Sequence, residues 1–221
     1  MTVLAPVELD APLSSAMRDG SRAEHTAAEG SAFMEELLAG RVNEAGYAAY
    51  LQRLRTVYAA IESTGRSLAG TPAADAVLDP ALERLAAIDA DLAHWAPHVS
   101  GPVESPAASA YAERVAATTA WAPLFVAHHY TRYLGDLSGG QAIGRILARA
   151  FDLTDGAGTA FYAFDAIPKP KPYKDAYRAR LDALDLDAAD KERVVAEVKV
   201  AFNLNQALFS ELSADLAAYR R

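Results

Sequence analysis

The sequence predicts an all-α chain folded as a single-domain helical bundle. Apolar residues return at helical steps in stretch after stretch. Tyr47, Tyr50, Leu51, Leu54, Val57, Tyr58 and Ile61, for example, share one face of one helix. No stretch shows the apolar–polar alternation of a credible strand, and no segment repeats another. The 221 residues, 52% of them hydrophobic, are one domain's worth or slightly more, and a single domain over residues 1–221 is expected.

Taken in order, the chain opens with a helix that Asp10 can cap, with Pro12 in its first turn. Leu13, Met17, His25, Ala28 and Phe33 follow, with a break near Gly30. Asn43 caps the helix of Tyr47 to Ile61. Gly65, Gly70 and Pro72 mark a loop, and Asp79-Pro80 opens a helix running to about Ala93. A turn-rich break from His94 to Pro102 precedes another start at Ser105-Pro106. Pro123 begins a long helix that carries Phe125, Val126 and Tyr130 before a glycine-rich middle. Ile143, Ile146, Leu147 and Phe151 follow that middle. Asp155, Gly156 and Gly158 end it, and Phe161, Tyr162 and Phe164 anchor the next segment in the core. Pro168 to Pro172 is expected to be extended and polyproline-like. It leads into a helix with the stripe Tyr173, Tyr177, Leu181 and Leu184. Asp187 caps a last helix whose inner face runs from Val194 to Leu216.

Composition removes several classes of function. A net charge of −8 and a pI of about 5.1 argue against nucleic acid or an anionic membrane as the main partner. The absence of cysteine excludes disulfides, thiolate-held clusters and thiolate-ligated or thioether-attached heme. No apolar run reaches the ~18 residues of a membrane span. Met1 to Asp10 lacks the basic start and apolar core of a signal peptide, so a cytoplasmic protein without a membrane anchor is expected. Asp91-x-x-His94 has the spacing of half a di-metal site, but no second Glu-x-x-His completes it.

The glycine-rich middle is the anomaly. Gly135, Gly139, Gly140 and Gly144 lie inside a helical pattern, and each costs about 0.8–1 kcal/mol relative to alanine. Gly135 and Gly139 share a face on which something flat could approach the backbone. Asp136 stands beside that face. Close packing of two soluble helices is the plain alternative. A membrane dimer face is disfavoured by Arg132, Asp136 and Arg145. Elsewhere, His25 and Glu29 sit four apart on one face. Asn205 interrupts an apolar face and needs a hydrogen-bond partner, for which an ordered water would serve. Tyr58 is either a core tyrosine or one turned toward a polar network.

Tyr-Thr-Arg-Tyr-Leu-Gly-Asp-Leu-Ser-Gly-Gly-Gln, residues 130–141, resembles the distal-helix signature of heme oxygenases. Ala-Glu-His-Thr-Ala-Ala-Glu, residues 23–29, resembles the proximal-histidine segment of that family. Ala-Phe-Asn-Leu-Asn-Gln-Ala-Leu-Phe, residues 201–209, fits as well, and the resemblance spans about 13–216. It implies heme b sandwiched between the His25 helix and a kinked glycine-rich distal helix. His25 would be the axial iron ligand, oriented by Glu29. Arg18, Tyr130, Lys174 and Arg178 would hold the propionates, with Arg18 standing where lysine is common. Gly135 and Gly139 would form the distal ledge and Asp136 the proton relay, in a network with Tyr58, Arg132 and Asn205. His128 and His129 would be structural. The activity implied is cleavage of heme by O2 and reducing equivalents to biliverdin, ferrous iron and carbon monoxide. No redox-cofactor motif is present, so a ferredoxin, a flavodoxin or a reductase would supply electrons. A heme carrier without turnover is the rival. A thiaminase-like hydrolase on the same fold would need a cysteine that this chain lacks.

Overall fold

A computed structural model describes residues 11–98, 101 and 103–221. Asp10 and Pro102, and the proposed cap and turn at them, lie outside these residues. Among the described residues every regular element is helical; the one strand-like contact is an isolated bridge between Val42 and Arg220. No helix is long and apolar enough to cross a membrane.

The first predicted helix is two. Helix α1 (Leu13–Gly20) and α2 (Arg22–Glu29) meet at Ser21, whose buried hydroxyl donates to the Met17 carbonyl at 2.7 Å. Such back-bonding bends a helix. The expected break at Gly30 follows, and α3 (Ala32–Leu38) starts after Ser31. Helix α4 (Glu44–Leu68) is capped by Asn43, whose side-chain Oδ1 accepts from Gly46 N at 2.9 Å. A short α5 (Pro72–Asp75) precedes the Asp79-Pro80 segment. That segment is not the single helix expected. Pro80–Leu82 is a tight turn, and α6 (Leu85–Trp95) begins only after Arg84. The Glu62 carboxylate takes the Arg84 and Leu85 backbone N–H groups at 2.8 Å each, so the new start is capped from α4.

Helix α7 (Pro106–Ala117) is capped by Ser105, and α8 (Pro123–His129) runs into the distal segment. Helix α9 (Gln141–Ala150) completes it. Helix α10 (Pro170–Asp182) starts earlier than expected. Pro170 and Pro172 are in its first turn, where a missing N–H costs nothing, so the stretch is not extended throughout. Helix α11 (Ala188–Ala214) is capped by Asp187 as expected. It stops before Leu216, which belongs to a separate short α12 (Leu216–Tyr219). Helices α4 and α11 carry the core. Tyr47, Leu51, Leu54, Val57 and Tyr58 of α4 are fully buried, as are Val198, Leu208 and Leu212 of α11.

A buried ion cluster ties α11 to α7 and α8. Glu197 accepts from Arg114 Nε at 2.7 Å and pairs with His128 Nε2 at 2.8 Å. Burial alone would raise the Glu197 pKa; the His128 and Arg114 hydrogen bonds outweigh it and hold it at about 2. His129 is driven the other way, with burial and then the Arg180 cation lowering it to about 3. Both folded pKa values lie below their unfolded ones. Their stabilisation is therefore whole above about pH 6.5 and is lost as pH falls, first through His129 and then, below about 4.5, through Glu197. Glu197→Ala is expected to cost about 3–5 kcal/mol, because Arg114 and His128 lose their buried partner. Urea denaturation at pH 7 measures this, and a loss under 1 kcal/mol would show the cluster to be peripheral.

Candidate active site

Two elements face each other across a cleft. One is α2, which presents His25. The other is the middle of the distal run, where the sequence placed its glycines. There the helix widens. Tyr130–Leu134 and Asp136–Gly140 are both π-helical, joined at Gly135. Such wide turns are rare and cluster at functional sites. The outer cavity of the cleft, about 310 Å³, is lined by Arg18, His25, Tyr130, Gly135, Ser138 and Arg178, among others. A smaller one of about 140 Å³ reaches Asp136, Gly139 and Asn205. His25, Thr131, Gly135 and Phe202 line both, so the two form one slot.

The four glycines divide into two pairs. A Cβ on Gly135 or Gly139 would meet nothing within 4 Å, so these two form an open ledge. A Cβ on Gly140 would stand 2.8 Å from the Tyr162 ring, and one on Gly144 3.1 Å from Tyr162 Cβ. The packing explanation therefore holds for Gly140 and Gly144, and the ligand explanation is left with Gly135 and Gly139. Gly139→Ala and Gly140→Ala should accordingly differ in sign. The first keeps or raises the melting temperature of the empty protein, with up to about 1 kcal/mol from helix propensity. It lowers affinity for a flat ligand. The second is destabilised by about 1–3 kcal/mol through overpacking against Tyr162. Thermal melts and a ligand titration on both variants check this; equal melts would undo the division.

His25 is half-exposed on the cleft, with Nδ1 3.5 Å from Glu29 Oε2. The Phe202 ring meets it edge-on at 5.3 Å. Phe202 was not singled out from the sequence, because an aromatic residue beside a core stripe carries no signal of its own. Opposite, Asp136 is buried in a polar network. The Tyr58 hydroxyl donates to the Asp136 carboxylate. Arg132 Nε donates to the Tyr58 oxygen at 3.2 Å, and Nη1 donates to Asn205 Oδ1 at 2.8 Å. Arg132 Nη2 lies 3.6 Å from Asp136 Oδ1. The protein partner of Asn205 is thus a guanidinium, where a water was expected. Arg132 and Asn205 are 73 residues apart on different helices, so only the fold brings them into contact. Burial raises the Asp136 pKa, with Arg132 and Tyr58 opposing. A carboxyl so placed can hold a proton and return it.

Cations gather at the cleft mouth. Arg18 and His25 lie on helices separated by the Ser21 bend, and both line the cavity. Arg22, absent from the sequence reading, lines it too and shares Asp19 with Arg18. Lys174 Nζ donates to Ser138 Oγ at 2.9 Å across the mouth. Its pKa is lowered, by burial and then by the Arg178 cation. Arg178 also lines the cavity. His128 and His129 point away into the core, bound to Glu197 and Tyr177. Asp91 is occupied by the Ala160 and Phe161 backbone N–H groups, and no cluster of metal-ligating residues exists among the described residues.

The heme oxygenase family model matches residues 11–211. The chain belongs to the heme oxygenase family. Heme oxygenase 1 of Synechocystis is 38% identical over 210 residues, covering 92% of this chain and 86% of that one. Rat heme oxygenase 1 is 38% identical over 207 residues, covering 91% and 72%. The crystal structure of the Synechocystis heme oxygenase-1 in complex with heme superposes with a TM-score of 0.86 at 37% identity, covering 94% and 95%. The structure of Leptospira interrogans heme oxygenase gives 0.86 at 34% identity, covering 91% and 100%. The all-α single-domain fold expected of the family is the one observed. The slot also suits the family's ligand: an open backbone ledge for a flat apolar plate, and cations at the mouth for its carboxylates.

Proposed function

We propose that this heme oxygenase binds heme b in the cleft and cleaves it with O2 and reducing equivalents to biliverdin, ferrous iron and carbon monoxide. The observation that carries the reading is His25 and the bare Gly135–Gly139 ledge lining one slot, with buried Asp136 beside the ledge. Heme, as substrate, brings both the iron that reduces dioxygen and the ring that is cut. His25 holds the iron from the proximal side, and Glu29 orients its ring through Nδ1. Arg18, Tyr130, Lys174 and Arg178, joined by Arg22, hold the propionates. The bare ledge leaves room on the distal side for O2. Asp136 supplies protons there, fixed by Tyr58 and Arg132, with Asn205 securing Arg132. Electrons come from a ferredoxin, a flavodoxin or a reductase, in the cytoplasm.

The test is aerobic reduction of the heme complex with biliverdin and carbon monoxide measured. An oxygenase bleaches its Soret band and forms both; a carrier without turnover keeps the band and forms neither. Replacing Lys174 and Arg178 together by Ala should weaken heme binding by about tenfold or more, each charged hydrogen bond being worth ~1.5–3 kcal/mol where sheltered. Unchanged affinity in a heme titration would reduce the pair to a solvated face.

A further inference from the structure

A chain of buried rings runs from the site into the core, and the mechanism above uses only its first member. The Tyr58 ring meets Tyr133 at 5.4 Å. Tyr133 meets His129 at 4.3 Å, and His129 stacks on Tyr177 at 5.8 Å. Tyr58 and Tyr177 are wholly buried, and Tyr133 and His129 are 2% exposed. At the far end, Tyr177 Oη and His129 Nδ1 are 2.9 Å apart. A neutral imidazole with its proton on Nε2 accepts from the tyrosine hydroxyl in that contact. His129 and Tyr133 also line a separate cavity of about 200 Å³, together with Glu62, Asp79, Glu83 and the Arg66 cation, which lies 3.8 Å from Glu83.

A hydrogen bond between a buried tyrosine and a buried histidine satisfies both, and packing needs no more than that. It does not explain why the pair ends an unbroken ring path from the hydroxyl partner of Asp136. Nor does it explain why the histidine lines a cavity with three carboxylates. We propose that Tyr177 and His129 are a one-electron sink for the heme site, filled through Tyr58 and Tyr133 when a peroxide over-oxidises the bound heme. The proposal rests on the heme reading of the cleft.

The step balances. Hydrogen peroxide takes two electrons from the bound heme and, with two protons from the buffer, becomes two molecules of water. Tyr177 returns one electron to the heme along the ring path. Its O–H bond breaks and an N–H bond forms at His129 Nδ1, leaving a neutral phenoxyl. An oxidised phenol is a strong acid, so even a histidine held neutral by burial accepts this proton. The Arg180 guanidinium, 5.6 Å from the Tyr177 ring, disfavours lasting positive charge there. His129 therefore sheds its Nε2 proton toward the carboxylates of the cavity. The electron donor that serves turnover refills both the second vacancy on the heme and Tyr177. The other two rings are poorer resting places. Tyr58 shares its acceptor, Asp136, with the Arg132 cation. Tyr133 has no protein hydrogen bond from its hydroxyl among the described residues.

The ferric heme complex is mixed with hydrogen peroxide, freeze-quenched and read by electron paramagnetic resonance. The wild type should give a tyrosyl-type signal, and Tyr177→Phe should lose at least half of it while reductant-driven biliverdin formation stays unchanged. Electron–nuclear double resonance on wild type labelled with 15N-histidine gives a second reading that no folding defect can affect; coupling of the radical to a histidine nitrogen is expected, because the Tyr177 hydroxyl is bonded to His129. Absence of a tyrosyl signal in the wild type overturns the proposal, as does a full signal in Tyr177→Phe or a radical without histidine coupling. A chain that takes up no heme, shown by no Soret band, fails the cleft reading itself. Heme uptake with a radical that lacks the coupling fails only the sink.

Discussion

Replacing Asp136 by Ala is expected to leave heme bound through His25 and to reduce biliverdin formation by about 10²-fold or more, the range of a positioned proton donor. Asp136 makes no packing contribution that Asn could not match. What Asn cannot do is carry a proton as an acid, or accept at both oxygens from Tyr58 and Arg132. Asp136→Asn should therefore fall with Asp136→Ala, while the Soret band and melting temperature stay close to those of the wild type. Burial raises the pKa of this carboxyl above that of an ordinary aspartate. The wild-type rate should consequently fall as pH rises through that raised pKa, and the residual rate of either variant should lack this fall. Single-turnover reduction in air, with biliverdin and carbon monoxide measured, decides the matter. Wild-type rates in Asp136→Ala would make the residue structural and remove the central step of the mechanism.

Much of this arrangement could be read before any coordinates, and the parts that could not share one cause. Helices whose start is a local event were legible: Asn43 and Asp187 cap through their own side chains to the third residue on. The Gly135–Gly139 ledge was legible because two glycines four apart break a pattern. The misses depend on partners distant in sequence. The second start at Leu85 is set by Glu62, from another helix. Gly140 and Gly144 looked like part of the ledge until Tyr162 was found packed on them. Arg132 satisfies Asn205 from 73 residues away. The bend at Ser21 is local, but a serine inside a helix bends it only when its hydroxyl turns to the preceding carbonyl, and burial decides that turn. Arg22 could have been found by asking which cations lie within one turn of His25.

His25→Ala is expected to abolish the protein-derived iron ligand and, with it, most turnover. The alternatives are few. Of the five histidines, His128 and His129 are buried and engaged with Glu197 and Tyr177. His94 stacks edge-on against Trp95 and lines neither cavity of the slot. His98 lies in the turn after α6, likewise outside the slot. Only His25 lines both cavities. Deleting its imidazole leaves a hole beside Phe202 that opens to solvent, since the side chain is 52% exposed. The fold should therefore survive, with a melting temperature within a few degrees of the wild type, as for a surface substitution. Heme should still enter, held by the ledge and the cations, but with a spectrum lacking the histidine-ligand signature. Added imidazole fits the hole and should restore both the spectrum and part of the activity. Glu29→Gln, which keeps the size but not the charge next to Nδ1, should shift the iron–histidine stretching frequency downward without losing the ligand. A histidine-type spectrum in His25→Ala without imidazole would place the ligand elsewhere and dismantle the proximal half of the site.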